Sequence, residues 1–337
     1  MKVAFMGTPE FAVPTLERLI ESRHAVVLVA TQPDRASGRG QKIKPSPVKE
    51  LAMSRGLRVE QPATLKKAHF DQTLRDAGAE VVVVAAYGLK LPPEVLTATP
   101  HGCLNVHASL LPRWRGAAPV QRAILAGDLK TGVSIMRMSE GMDEGPIIAQ
   151  EEIDILPDDD ALSVTNMLAM VGADLMLRTL DRLESEGRLE ATPQEESLVT
   201  LAPKIEKSEG WINWDRDIDS IICHIHGLRP WPGAFSKLGA TTIRVIEAEP
   251  DTSFDDSSVP PQRRARPGTV VALARNLGPI VRVRDGYLLL TQVQPENKKA
   301  MGGGDWINGG GVKTGDCFSS GVPAETANPL DASRPRP

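Results

Sequence analysis

KVAFMGTPEFAVPTLERLIESRHAVVLVAT, residues 2–31, reads as strand, helix, strand. KVAFMG is an apolar run stopped at Gly7. PEFAVPTLERLIESR carries Leu16, Leu19 and Ile20 near helical spacing, and AVVLVAT is a continuous, largely β-branched run. The alternation continues down the chain. VKELAMSRG predicts a helix stopped by Gly56, AEVVVVAAYG (residues 79–88) a buried strand, and CLNVHA (103–108) a further strand. Continuous apolar strands alternating with helices imply a parallel sheet covered on both faces. The first half of the chain is therefore expected to be a doubly wound, Rossmann-like α/β domain. Such sheets hold their ligands at the carboxyl ends of the strands.

Beyond Pro119 the pattern predicts a short helix, VQRAILAG, ending at Gly127. Two strands follow, TGVSIMRM and PIIAQEEIDI, joined by SEGMDEG. A long amphipathic helix then runs to about Gly187, and residues 189–208 read as a linker. The second half changes character. A short helix near 218–226 is followed by TTIRVIEAEP, PGTVVAL and IVRVRDGYLLLTQVQP, separated by many turn residues, which suggests a small β-barrel. Residues 251–267 read as a flexible excursion between strands. The Pro-, Ser- and Ala-rich tail, 319–337, reads as disordered.

Bulk properties exclude several classes. The 337 residues suffice for two domains, and 41% hydrophobic with 24% charged residues is the composition of a soluble globular protein. No apolar run is long enough to span a bilayer. The opening MKVAFMGTPEF is too short for a signal peptide and reads as a first strand. Three scattered cysteines, Cys103, Cys223 and Cys317, argue against disulfides and point to a reducing cytoplasm. They show no zinc spacing. The net charge of −4 gives no global attraction to nucleic acid but leaves room for a local basic surface. One Gly after the first strand, with no G-x-G-x-x-G, disfavours a nicotinamide cofactor, and no Walker A lysine is present.

Chemistry concentrates in CLNVHASLLPRWRGAAP, residues 103–119. Asn105 and His107 share strand parity, so both side chains project from one face at the strand's carboxyl end. Asp143 lies in the Gly-flanked turn EGMDEG. A carboxylate against His107 would hold the ring and fix its tautomer, and Asn105 is a neutral donor suited to a developing oxyanion. Together the three could run acyl transfer to an amine without a covalent intermediate. Cys103 on the same strand reads as a core thiol rather than a nucleophile. Pro112 and Gly116 shape the turn around Trp114, which Arg113 and Arg115 flank. The long loop 32–49 carries Arg35, Arg39, Lys42, Lys44 and Lys49 against one acid, Asp34, a cluster able to meet phosphates. Lys204 and Lys207 could add to such a surface.

These stretches, in order, spell a resemblance: FMGTPEFAVPTL, TQPDRASGRGQKIKPSPVK, AAYGLKLP, LNVHASLLPRWRGAAPVQRAI, GVSIMRMSEGMDEGPI and LRPWPGAF. They closely resemble the folate-dependent formyltransferase family, and within it the methionyl-tRNA formyltransferases, over residues 1–318. The resemblance implies transfer of a formyl group from 10-formyltetrahydrofolate to methionine on initiator Met-tRNA, with no metal. It implies a catalytic domain over 1–188 and an OB-like tRNA-binding domain over 209–318. By position, Asn105, His107 and Asp143 match the family's catalytic trio. Ser109, Leu110, Leu111 and Pro112 match its folate segment, while Tyr87, Gly88 and Leu89 fall where backbone groups line the pterin pocket. Arg39 matches a loop arginine that reaches the acceptor end of the tRNA, with Arg35, Lys42, Lys44, Lys204 and Lys207 on the expected RNA surface. A cytoplasmic monomer is the default expectation. Rival readings are a formyltransferase for a small amine, such as a sugar nucleotide or glycinamide ribonucleotide, and a non-catalytic RNA-binding protein built on the barrel. The irregular SSVPPQRRARP loop and the Gly-rich MGGGDWINGGGVKTGDCF depart from the family pattern.

Overall fold

A computed structural model describes residues 1–37, 42–66, 68–260 and 264–319. The chain divides into two compact units. The first holds Met1–Val120, Lys130–Ile155 and Ser163–Pro203; the second holds Gln121–Leu129, Leu156–Leu162 and the chain from Lys204 onward.

The first unit is built on a seven-stranded sheet. Its spatial order is Ile147–Asp154, Lys130–Arg137, Cys103–His107, Val81–Ala85, Lys2–Gly7, Ala25–Ala30, Val59–Glu60. The last five strands in that order are parallel, as the alternating strand–helix pattern requires. The other two, for which the pattern gave no direction, run antiparallel to their neighbours. For Lys130–Arg137 and Ile147–Asp154 the reason is local: the short 138–146 connection can return the chain beside itself, whereas a parallel pair needs a longer crossover.

Strand parity determines where the site lies. Ala4, Met6, Val82, Val84 and Cys103 point to one face, into a core with Phe70, Leu74, Val95 and Leu96 from the helices and turns that cover it. Asn105 and His107 continue the Cys103 parity beyond that core. Val106 points the other way, toward the long helix Ala161–Glu186. A Cβ at Gly172 of that helix would sit 2.6 Å from Val106 Cγ1 and 3.3 Å from Val133 Cγ1, so glycine permits the close approach. One face of the strand end is thus sealed by helix, and the other carries the polar groups.

Residues 189–203 of the segment that reads as a linker are woven into this unit. Thr192 bridges Ile147, and Leu201–Ala202 pairs in parallel with Arg115–Gly116. Its residues brace both loops that follow the active strand.

The second unit is a curled antiparallel sheet ordered Val270–Ala274, Gly278–Arg282, Tyr287–Pro295, Thr241–Pro250, Ala234–Leu238, Phe318–Ser319. A Thr269–Cys317 bridge, with Val270 N–H donating to Asp316 O and Phe318 N–H to Gly268 O, both at 2.8 Å, ties its two edges. That closure protects edges that would otherwise present unpaired backbone groups. Trp214, Val245, Val281, Leu288, Leu290 and Trp306 fill its core. Trp214 Nε1 donates to Ser236 Oγ at 3.0 Å, which satisfies the one polar atom of a buried ring. The tail 320–337 lies outside the described residues.

Candidate active site

Backbone pairing fixes the first two groups. Asn105 sits between Val84 on one side and Met136 on the other, and His107 opposite Ser134. Both are buried. The Asn105 amide makes no hydrogen bond with another described side chain, and its atoms are not sealed from solvent. A nearly buried amide of this kind is a donor left for a bound molecule.

His107 is held along one edge. Its Nε2 lies 3.0 Å from the Trp114 carbonyl oxygen. A carbonyl only accepts, so Nε2 carries a proton and the ring's tautomer follows. Trp114 can offer that carbonyl because its backbone is left-handed, with φ at 63°. Burial of its indole, Arg113 stacked over the ring at 4.4 Å, and its N–H donated to Thr200 Oγ1 at 2.9 Å hold this unfavourable conformation. The other edge of His107 faces Asp143, with Nδ1 3.7 Å from Oδ2.

Asp143 sits at the tip of the connection between the two antiparallel strands, also left-handed, with φ at 54°. Its Oδ2 accepts the Gly116 N–H at 3.0 Å. Glycine is required there because φ is 129° and a Cβ would lie 2.6 Å from Ala202 O. The structure therefore brings Asp143 and His107 together, on the strand face that also carries Asn105. Two hydrogen-bonding groups on one strand face, with a carboxylate beside one of them, can stabilise a developing negative oxygen and relay a proton.

Cys103, two residues before Asn105, is different. Burial pushes its thiol up to about 12, and Sγ meets only Val95 O at 3.6 Å. It is a core thiol.

Comparison with known proteins shows the family. Residues 1–180 match the formyl transferase family, and residues 204–311 match the formyl transferase C-terminal domain. The methionyl-tRNA formyltransferase of Symbiobacterium thermophilum is 45% identical over 320 residues, 95% of each chain. That of Methylobacillus flagellatus is 43% identical over 95% of this chain and 100% of its own. The chain belongs to the methionyl-tRNA formyltransferase family. Two solved structures share the fold at low identity. The Helicobacter canadensis N-formyltransferase, in complex with folinic acid and dTDP-3-aminofucose, has a TM-score of 0.64 at 17% identity over 86% of this chain and 98% of its own. HypX from Aquifex aeolicus in complex with tetrahydrofolic acid has a TM-score of 0.59 at 18% identity over 91% of this chain, which spans about half of HypX (47%).

The segment 109–112, expected from the sequence to face folate, is tightly held. Ser109 Oγ donates to Arg113 O at 2.6 Å. Ser134 Oγ donates to Ser109 O at 2.6 Å and accepts the Leu111 N–H at 3.0 Å. Gln150 Nε2 donates to Leu111 O at 2.9 Å. These polar groups are engaged within the protein and Leu111 is buried, so the half-buried Leu110 and Pro112 would offer a ligand shape and apolar surface. Tyr87 turns its ring into the core, and its carbonyl accepts from Thr8 and Gln32. Burial raises its hydroxyl to about 12, which keeps it neutral. Gly88 is exposed with φ at 82°, and Leu89 is half-buried beside it.

The basic loop is partly structured. Arg35–Ser37 pairs antiparallel with Lys42–Lys44, aligning Arg35 with Lys44 and Ser37 with Lys42. Lys44 is exposed. Arg39 lies outside the described residues. Lys49 is engaged elsewhere: it lies in the first turn of the helix Pro47–Ser54 and gives its ammonium to Asp34 and Gln61, both at 2.6 Å. In the second unit Lys204 and Lys207 are exposed. Between them, a buried Arg122 grips Glu209 at 2.6 and 3.0 Å and the Lys204 carbonyl at 3.3 Å.

Sequence reading missed the Trp114 carbonyl, Ser134, Gln150 and Thr200. Only the turn markers around Trp114 hinted at the first. The others act across pairings that leave no periodic trace.

Proposed function

We infer that the chain transfers the formyl group of 10-formyltetrahydrofolate to the α-amine of methionine on initiator Met-tRNA, giving formylmethionyl-tRNA for translation initiation. The observation that supports it most is the convergence of His107 Nδ1 and Asp143 Oδ2, 3.7 Å apart, on the face that presents the free Asn105 amide. Family membership over both domains supplies the reaction.

The bound folate supplies the one-carbon unit; the chain's residues govern charge and protons around it. Asn105 donates its amide N–H to the formyl oxygen as negative charge develops there. One such donor is worth ~100- to 1,000-fold in rate. With Nε2 committed to Trp114, a second proton on His107 enters at Nδ1, the edge beside Asp143. That proton is available to the same oxygen. Asp143 holds the charged ring and, through water, relays the proton that the attacking amine loses to N10 of the folate, as the bond from the formyl carbon to N10 breaks and tetrahydrofolate leaves. Proton transfer of this kind contributes ~100- to 10,000-fold.

Ser109, Leu110, Leu111 and Pro112, with backbone at Tyr87, Gly88 and Leu89, form the folate-facing surface. Arg35, Arg39, Lys42 and Lys44 of the basic loop, together with Lys204 and Lys207, meet tRNA phosphates. Residues 1–188 act as the catalytic domain, 209–318 as the tRNA-binding domain, and the enzyme works as a cytoplasmic monomer. Among the described residues no helix is long and apolar enough to cross a membrane.

The test is direct. The protein is mixed with 10-formyltetrahydrofolate and charged initiator tRNA, and formylmethionine and tetrahydrofolate are followed. Both should appear in equal amounts. Formylation that survives removal of residues 209–337, or that prefers a small amine, would overturn the tRNA assignment.

A further inference from the structure

The residues just before the second unit show an arrangement that the reaction chemistry does not require in itself. Gln194 Nε2 donates to two backbone carbonyls, Asp143 O and Gly145 O, each at 2.7 Å. These carbonyls belong to the left-handed Asp143 itself and to the residue two positions beyond it. Gln194 Oε1 in turn accepts from Arg115 Nε at 2.9 Å. Since Arg115 only donates, the amide orientation is determined: its oxygen faces Arg115 and both of its hydrogens face the turn. Arg115 is itself buried and fixed by Glu196, at 2.8 and 3.3 Å. The guanidinium holds the Glu196 carboxyl below its ordinary value.

We propose that Gln194 is a positioning residue for formyl transfer, with Arg115 and Glu196 as its support: its amide locks the turn so that the Asp143 carboxylate faces His107 Nδ1. The turn needs such a lock. Asp143 holds a backbone conformation that L-residues disfavour, and its neighbours Met142 and Glu144 are exposed and offer no packing. One carboxylate oxygen is aimed by Gly116 N–H; the backbone that delivers it is aimed by Gln194. A glutamate in the same place has no hydrogens to give the two carbonyls. An asparagine is one methylene too short to reach them from the same backbone.

The proposal rests on the catalytic reading of Asp143, and the experiment separates the two. Full-length wild type, Gln194→Ala, Gln194→Glu, Asp143→Asn and the double variant Asp143→Asn/Gln194→Ala are compared in formylation of initiator Met-tRNA, with melting curves taken alongside. Gln194→Ala and Gln194→Glu should each lower kcat about 10- to 100-fold, the cost of misplacing a reacting group by about 1 Å. KM for tRNA and for folate should stay within about twofold of wild type. In the Asp143→Asn background, Gln194→Ala should cost nothing more, because its effect passes through that carboxylate. If Asp143→Asn is fully active, the catalytic reading fails. If Asp143→Asn is impaired while the folded Gln194 variants keep wild-type kcat, or if the two losses multiply, Gln194 plays no part in placing Asp143.

Discussion

Gly145, two residues beyond Asp143, offers a sharp perturbation. A Cβ built there would lie 1.7 Å from Arg137 O and 2.9 Å from Met136 Cε. Ordinary contact begins near 3.4 Å, so Gly145→Ala requires about 1.7 Å of backbone movement. The Arg137 side resists it: Arg137 pairs with Leu104 on the strand that carries Asn105, and its N–H donates to Pro146 O at 3.0 Å. The exposed turn therefore gives way, and it takes Asp143 away from His107. Misplacement by an ångström or more costs on the order of 100-fold, or ~2.7 kcal/mol of barrier. Overpacking costs ~1–3 kcal/mol of stability, which leaves the protein folded at assay temperature. Single-turnover formylation at saturating substrates reads the barrier. Gly187→Ala serves as the control: φ is +71° there and nothing lies within 4 Å of the new Cβ, so it should cost ~1 kcal/mol in stability with an unchanged rate. A folded Gly145→Ala enzyme within about threefold of wild type would refute the claim that the turn's backbone sets the position of the carboxylate.

Three further outcomes are expected. Lys204→Ala and Lys207→Ala should each raise KM for tRNA and reduce the log–log salt slope of tRNA binding by ~1, with folate KM unchanged; equal slopes would remove them from the RNA surface. Burial drives the His224 imidazole down from 6.5 to about 4. The folded protein keeps it neutral while the unfolded chain takes up a proton, so this stability is complete above pH 6.5 and is lost as pH falls toward 4. Urea denaturation should show about 2 kcal/mol less stability at pH 5 than at pH 7 from this group, and His224→Gln should flatten that part of the profile. Cys103, with its thiol raised to about 12, should stay unlabelled by iodoacetamide in the native enzyme at pH 8, as peptide mapping will show; rapid labelling with loss of activity would reinstate it as a nucleophile.

Much of this architecture can be read from local pattern. The run Val81–Ala85 is apolar at every position because both faces of that strand are covered, and it is buried throughout. Asn105 and His107 share a face by strand parity alone, and the Gly-flanked turn marks Asp143 as unusual. Other features depend on partners far along the chain. The polar stretch around Gln194 has the composition of a linker, yet pairing of Leu201 with Arg115 draws it into the catalytic unit. Lys49 reads as one more loop cation until Asp34 and Gln61 are seen to accept from it. Tyr87 looks available to a ligand by its position in the chain, but its ring packs in the core. No spacing rule reveals which carbonyl turns toward His107, because that follows from the left-handed Trp114 and the Thr200 hydroxyl that holds it.

The central claim is that an amide, an imidazole and a carboxylate act together on one formyl group. Single-turnover formation of formylmethionyl-tRNA by Asn105→Ala, His107→Ala and Asp143→Ala, each with both substrates saturating, tests it most directly. Each substitution should slow transfer by about 100-fold or more while tRNA and folate still bind. Near-normal rates in all three would contradict it.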